Sequence, residues 1–566
     1  MNRERQSGTG IDKQKSEEKC VTEALKETPV LIVGAGPTGS ALAIELGWRG
    51  IASTVLEQGD GRVDHPRLGI ILTRTMEFCR RWGIVDRVYH CGFNNDYHLN
   101  VVYCTSMTGH LLGKDSNESC NEMQPPEQSP EKRQRCPQIW FNPLLEKAAA
   151  EYASNEIRHH TRLTGFEDKG DFVEATAVNT VTGQQTRYRA QYLVSCEGAS
   201  SSVRNALDIG MDGDPVLSHS LGIFIRSAEL LKLHDKGEAE RYIFVGPQGT
   251  WANLTVVDGR ELWRITIIGN ASMVDLGTFD AAAAVRSCMG TDSIPFEIIS
   301  VTPWRRTELT AHQFRRGRVF LAGDTAHTMS PTGGHGMSTG VADAVDLGWK
   351  ISAVMAGWGG PHLLGSYETE RRPVAAANAA ASAKNFRAWT SASDCSQILD
   401  DSPEGEQIRQ RVGAHMTRVG REDWDSLGLQ LGYMYDPSPI CVPDGSPRPE
   451  LDPLNYVQTS RPGSRAPHAW IKPGLSTLDL FGRGFVLLCF DEDADVSALL
   501  AEAHRISLPL KITPIQDPQI RSLYQKKLVL VRPDGFVVWR GDALPQDCRA
   551  LIDIIRGAGI VTHQAA

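Results

Sequence analysis

The chain has 566 residues, 41% apolar and 22% charged, an ordinary globular balance and length enough for about three domains. Its 59 basic and 68 acidic side chains leave a net charge of −9 with no basic block, which argues against nucleic acid or an anionic membrane as a partner. The 12 cysteines contain no CxxC pair and the first twenty residues lack a signal-type apolar core. With no run of about 18 apolar residues to span a membrane, a cytoplasmic, reducing setting with free thiols is expected.

Residues 1–27 are charged and polar and are predicted to be a disordered tail, with order beginning at Pro29. The run 30–33 is apolar at every position, as in a parallel strand buried on both faces. A glycine-rich turn follows, then a helix to about Arg49 and a second strand over 52–56. The stretch 113–135, dominated by Pro, Glu, Ser and Asn, reads as a long surface loop. A helix is predicted over 142–152 and strands over 172–178 and 188–194. The region 217–310 is strand-rich (221–225, 242–245, 251–257, 262–268), 318–322 is another buried strand, and 337–355 is helical. Residues 362–430 are mostly helical, and 437–467 is a Pro- and Ser-rich connector. The last segment is a small α/β unit in which Arg532–Gly535 turns a hairpin.

Two stretches carry chemistry. In Gly34-x-Gly36-x-x-Gly39 the first glycine permits a tight turn, the second lets the backbone approach a pyrophosphate, and the third allows close helix–strand packing. The helix start offers free N–H groups to phosphate. Glu57, 57 − 34 = 23 residues on, stands where a carboxylate accepts from ribose hydroxyls. Together these say "dinucleotide". The second stretch, 317–349, carries a strand ending at Gly323-Asp324, a Pro/Gly loop through Pro331, and a helix beginning near Gly336. Asp324 can accept from another sugar hydroxyl. The amides of Gly336, Met337 and Ser338 can stabilise an electron-rich carbonyl such as that of a flavin pyrimidine ring. A cofactor spanning both sites is FAD rather than NAD. No second GxGxxG follows a strand, so a second tightly bound dinucleotide is not expected. His327 and His335, eight apart with no cysteine nearby, fit no zinc pattern, and no metal is expected.

The 317–349 stretch resembles the GD motif of the class A flavoprotein aromatic hydroxylases, the para-hydroxybenzoate hydroxylase family. Arg135–Phe141 resembles the family segment whose glutamine, here Gln138, touches FAD. His65-Pro66-Arg67 and Arg74–Glu77 resemble the first crossover, which implies that Arg67 lies near the flavin. Cys196–Arg204 resembles the DG motif, with Glu197 in place of the usual Asp. The C-terminal segment resembles the thioredoxin-like domain of the phenol and polyketide hydroxylase branch, where it serves structure or dimerisation. Lacking CxxC, it is not expected to exchange disulfides.

The implied fold class is α/β. A Rossmann-type FAD-binding domain (28–215 and 311–435) is interleaved with a β-sheet substrate domain (216–310), then a linker (436–467) and a thioredoxin-like α/β domain (468–566). The resemblance implies an FAD-dependent, NAD(P)H-consuming monooxygenase that hydroxylates a phenolic or aromatic substrate, including polyketide-derived ones, with O2 through a flavin C4a-hydroperoxide. Alternatives are Baeyer–Villiger-type insertion on the same scaffold and a non-catalytic flavin-binding protein. No catalytic base is assigned. Tyr242, Trp304 and Arg305 are candidate substrate-pocket residues, and a homodimer is compatible with the C-terminal domain.

Overall fold

The computed structural model describes residues 25–559 apart from 68, 233, 271, 392 and 393. Of the expected tail, residues 1–24 lie outside the described residues, and 25–27 already belong to the first strand, Leu25–Val33. That strand starts before Pro29 because Leu25–Thr28 pair with Arg187–Ala190 of the neighbouring strand, which extends the ladder past the apolar run.

Leu25–Val33 lies at the centre of the first sheet, parallel to Gln185–Ser195 on one side and Ser53–Leu56 on the other. Val30, Leu31 and Ile32 have no solvent exposure, the outcome expected for a strand covered on both faces. The helix Pro37–Trp48 leaves the strand through the glycine turn and packs against Gln138–Ala150 and His335–Met355. The helix Gln138–Ala150 begins four residues before the predicted start. Pro143 sits inside the helix. The hydrogen bond it forfeits is offset by burial of Phe141, Leu145, Ala148 and Ala149.

The second sheet runs, in spatial order, His327–Thr328, Glu297–Ala311, Met211–Arg226, Leu262–Asn270, Gly249–Val256, Arg241–Gly246, Val101–Cys104 and Leu111–Asp115. Three of its strands come from outside 216–310, so the two sheets share chain segments rather than one linker. The edge pair Val101–Cys104 and Leu111–Asp115 covers what would be an open edge.

The 113–135 stretch differs from its polar appearance. Cys120, Ser129, Glu131, Gln134 and Arg135 are buried. Ser129 donates to Glu77 at 2.7 Å, and Glu77 in turn is paired with buried Arg465 and Arg74. Its polar side chains serve internal hydrogen bonds, which composition cannot distinguish from solvation.

The C-terminal unit is an α/β domain whose four-stranded sheet runs Leu510–Pro514, Phe485–Cys489, Leu528–Val531, Val537–Gly541. Helices Ser497–Arg505, Pro518–Tyr524 and Cys548–Ile555 accompany it. The hairpin at Arg532–Gly535 is present, with Gly535 at φ 87°. Arg532 is not a surface turn residue. Its side chain is fully buried and reaches Glu370 and Asp346 of the larger domain.

Among the described residues no helix is long and apolar enough to cross a membrane.

Candidate active site

The glycine turn is closed on two sides and open on one. Gly34 adopts φ 103°, and a Cβ there would stand 2.4 Å from the Cys196 carbonyl oxygen. A Cβ on Gly39 would stand 2.0 Å from the Gly34 oxygen. Gly36, which precedes the helix Pro37–Trp48 and gives it no side-chain cap, faces nothing within 4 Å. The turn therefore presents bare backbone and uncapped amides to an open space, the shape a pyrophosphate fills. Glu57 is held beside it: its two carboxylate oxygens accept from Ala35 N and Gly59 N, each at 2.9 Å. Each oxygen keeps lone-pair capacity for a ribose hydroxyl.

The second stretch comes to the same side of the first sheet. Gly323 has φ +61°, and a Cβ on it would stand 2.4 Å from Thr38 Oγ1, so the GD turn sits directly on the first helix. Asp324 is solvent-accessible although surrounded by protein. Desolvation raises its pKa, countered by the positive charge of His327 and Arg67. Gln138 Oε1 accepts from Arg67 N at 2.9 Å, tying the start of its helix to the 65–67 segment. Beyond Pro331, Gly333 (φ 82°) and Gly334 (φ 70°) are both left-handed, and the 21-residue helix His335–Met355 starts with no side-chain cap. Its first-turn amides, from His335 through Met337, have no partner within the helix and are open to an oxygen ligand, whereas Ser338 N begins the helix's own ladder.

Asp343, within this apolar helix, holds the arrangement together. It accepts from Gly323 N at 3.1 Å, pairs with His327 at 2.6 Å and with Arg371 at 2.8 Å. Burial pushes its pKa up, but His327 and Arg371 pull it below the usual carboxylate range. Two acids, Asp343 and Asp346, inside an otherwise apolar helical run are the sequence signal for buried ion pairs there.

The residues present fit FAD: a bare-backbone cradle at Gly36, a fixed acid at Glu57, an accessible acid at Asp324, and an uncapped helix start beyond a double-glycine turn. The FAD binding domain family matches residues 27–382, and the aromatic-ring hydroxylase C-terminal family matches 459–557. The chain belongs to the class A FAD-dependent aromatic hydroxylases.

The hydroxylase is similar along its whole length to solved and curated relatives. The structure of RebC with bound 7-carboxy-K252c superposes with TM-score 0.89 at 39% identity, covering 95% of this chain and 100% of that one. Tetracenomycin B2 monooxygenase-dioxygenase of Streptomyces olivaceus is 30% identical, over 93% of this chain and 97% of its own. Phenol 2-monooxygenase of a Pseudomonas species is 30% identical, over 95% and 94%. The protein is thus an FAD-binding enzyme, and the non-catalytic alternative is set aside.

The DG segment of the hydroxylase shows how Glu197 is accommodated. Its Oε2 accepts from Ser195 and Ser201 hydroxyls and from Val203 N, and its Oε1 from the Ser202 hydroxyl, at 2.6–3.0 Å. Burial raises its pKa, but these four donors bring it below the ordinary value. Arg204 of the same segment donates to the Thr325 carbonyl at 3.0 Å, joining it to the GD turn.

The second sheet of the hydroxylase carries cations that sequence reasoning missed. Arg306, not its neighbour Arg305, points inward: it is buried, donates to Ser330 Oγ at 3.2 Å and lies over the Trp304 and Phe386 rings. Arg305 is exposed, as strand alternation requires. Burial, with Arg241 and Arg264 nearby, pushes the Arg306 pKa down to about 9. Arg264 is pushed down to about 10 by burial and by Arg135 and Arg241, and donates to the Pro66 carbonyl at 2.8 Å. Tyr242 is a core residue whose hydroxyl donates to Gly237 O at 2.5 Å. His327 is paired with Asp343, and among the described residues there is no group of three or more His, Cys, Asp or Glu that could hold a metal.

Proposed function

We propose that this enzyme hydroxylates the ring of a phenolic substrate, polyketide-derived polycycles included, using O2 and a transiently bound NADPH or NADH. The observation that carries the reading is the covalent and hydrogen-bonded junction of the two sheets. His327–Thr328, directly after the GD turn, pairs with Leu309 and Thr310 of the second sheet. Thr307 donates to Thr328 at 2.7 Å and Arg306 to Ser330. These contacts support the reading that a ring bound on that sheet would lie near the Pro331–Gly334 turn. The relatives' names, which specify phenol and tetracenomycin B2, support the same substrate class.

Gly34, Gly36, Gly39 and Glu57 would hold the adenosine half of FAD and its pyrophosphate. Asp324 would hold a ribityl or pyrophosphate-proximal hydroxyl, with Arg67 and Gln138 beside the ring. Gly336 and Met337 would donate to the pyrimidine carbonyl, with Pro331 against the ring face. When bound, FAD supplies the redox chemistry that activates O2. The chain supplies orientation, a cationic surrounding and exclusion of water. The test is turnover of a phenol panel under 18O2 with NADPH and NADH. Substrate-stimulated oxidation of the reductant with label on the ring is expected. Label in an ester or lactone would replace the reading with Baeyer–Villiger insertion. Retained flavin without stimulation by any phenol would overturn it.

A further inference from the structure

Asp423 is the penultimate residue of the helix Pro403–Trp424 and is only 8% exposed. One carboxylate oxygen, Oδ2, accepts from Arg241 Nη1 at 3.3 Å. The other, Oδ1, is buried and meets no donor at good hydrogen-bonding geometry among the described residues, although the Asn385 side chain acts on the carboxylate. It is aimed at the cofactor turn: Oδ1 lies 3.4 Å from the place where a Cβ on Gly333 would stand. A glycine at 333, needed for φ 82°, also keeps that gap free of a side chain. A buried anionic oxygen left unpaired is unfavourable unless a ligand completes it, and a phenolic O–H is the complementary donor.

We propose that Asp423 is the catalytic base that takes the proton of the phenolic substrate; this rests on the ring hydroxylation argued above. The O–H bond of the phenol breaks, the proton binds Asp423 Oδ1, and the electron pair stays on the substrate oxygen as phenolate. The negative charge passes from carboxylate to phenolate, so the net charge of the pocket is unchanged. The phenolate is the electron-rich form that accepts an electrophilic oxygen at its ortho or para carbon.

The surroundings suit this exchange. Burial raises the Asp423 pKa to about 6, against the pull of Arg241 and Asn385 and with the push of Glu240. This brings it toward the operating pH, where a general base is most effective. Arg241 and Arg306, both from the second sheet, are the cations acting on it, and Tyr103 of the same sheet is the further titratable group facing it. The competing group is His335, whose unpartnered Nε2 lies 2.7 Å from the same Gly333 Cβ position. Burial pushes its pKa down to about 4, so it is the weaker proton acceptor.

The test uses flavin-loaded protein and 4-nitrophenol, whose phenolate colour reports ionisation directly, at a pH about one unit below the free phenol's pKa. Wild type is expected to bind it as the phenolate without releasing a proton to the buffer. Asp423→Asn, checked for unchanged flavin content and thermal midpoint, should lower the bound phenolate-to-phenol ratio by at least about tenfold. Asp423→Glu should restore part of it. Equal ionisation in wild type and Asp423→Asn overturns the assignment. So does release of one full proton on phenolate binding by wild type, a measurement that stands even if the variant does not fold. Failure of wild type to bind any phenol refutes the hydroxylation reading itself, which separates the two failures.

Discussion

Arg532 offers the sharpest energetic test of how the C-terminal domain is held. Its buried guanidinium makes five hydrogen bonds, at 2.7–3.0 Å, to Glu370, Asp346 and Asp534. Lys350, also buried, adds contacts of 2.7 Å to Asp346 and 2.6 Å to Glu370. Two cations thus balance three carboxylates. Arg532→Met keeps most of the volume but leaves one ammonium facing three buried acids. Removing one partner of a buried pair costs about 3–5 kcal/mol, so the variant should show a clearly lower urea midpoint. It should also be cut faster by protease in the 436–467 connector. The pH dependence has a defined sign. Burial raises Asp346 to about 7 despite Lys350 and Arg532, so between about pH 4 and 7 the folded state binds a proton the unfolded chain lacks, and stability falls as pH rises. Burial would raise Glu370 too, but Arg532 and Lys350 hold it well below the usual range. Without Arg532 both acids rise further, so the variant's deficit should be smaller at pH 5 than at pH 7.5. Adding Asp346→Asn should recover part of the loss. An unfolding free energy within about 1 kcal/mol of wild type for Arg532→Met, at both pH values, would refute this account of the interface.

The glycine turn separates packing from ligand contact. Gly36→Ala, facing open space, should leave the thermal midpoint of flavin-free protein unchanged yet weaken FAD at least about tenfold by equilibrium dialysis. Gly39→Ala, with its Cβ forced to 2.0 Å from the Gly34 oxygen, should lower the midpoint itself; equal behaviour of the two would refute the division. Asp324→Ala removes a charged acceptor worth about 1.5–3 kcal/mol, so flavin retention through gel filtration should fall about 10- to 100-fold, and unchanged flavin content would remove Asp324 from the site. Glu197→Ala deletes four hydrogen bonds within the DG segment and should lower stability by about 1–3 kcal/mol in chemical denaturation; a silent substitution would show that the longer side chain is dispensable.

The parts of this protein that were legible in its sequence are those whose geometry is local. A strand, three spaced glycines, a helix and an acid at the next strand end fit within Val30–Glu57, and the backbone conformations they need are written in residue type. The same holds for Asp324 followed by a double-glycine turn and a helix. The individual strands and helices and the C-terminal α/β unit followed from alternation and apolar runs, whereas the interleaving of the two sheets was implied by the family resemblance. The stretch at 113–135 misled because polar side chains satisfied internally, such as Ser129 on Glu77, have the same composition as polar side chains in water. What only the tertiary structure decided is the interior of the pocket. Asp423 and Arg241 meet across 182 residues of sequence, Arg532 crosses 162 residues to Glu370, and Arg306 rather than Arg305 faces inward. A single charge on an amphipathic helix or strand carries no mark of being buried, because burial depends on which distant elements pack over it.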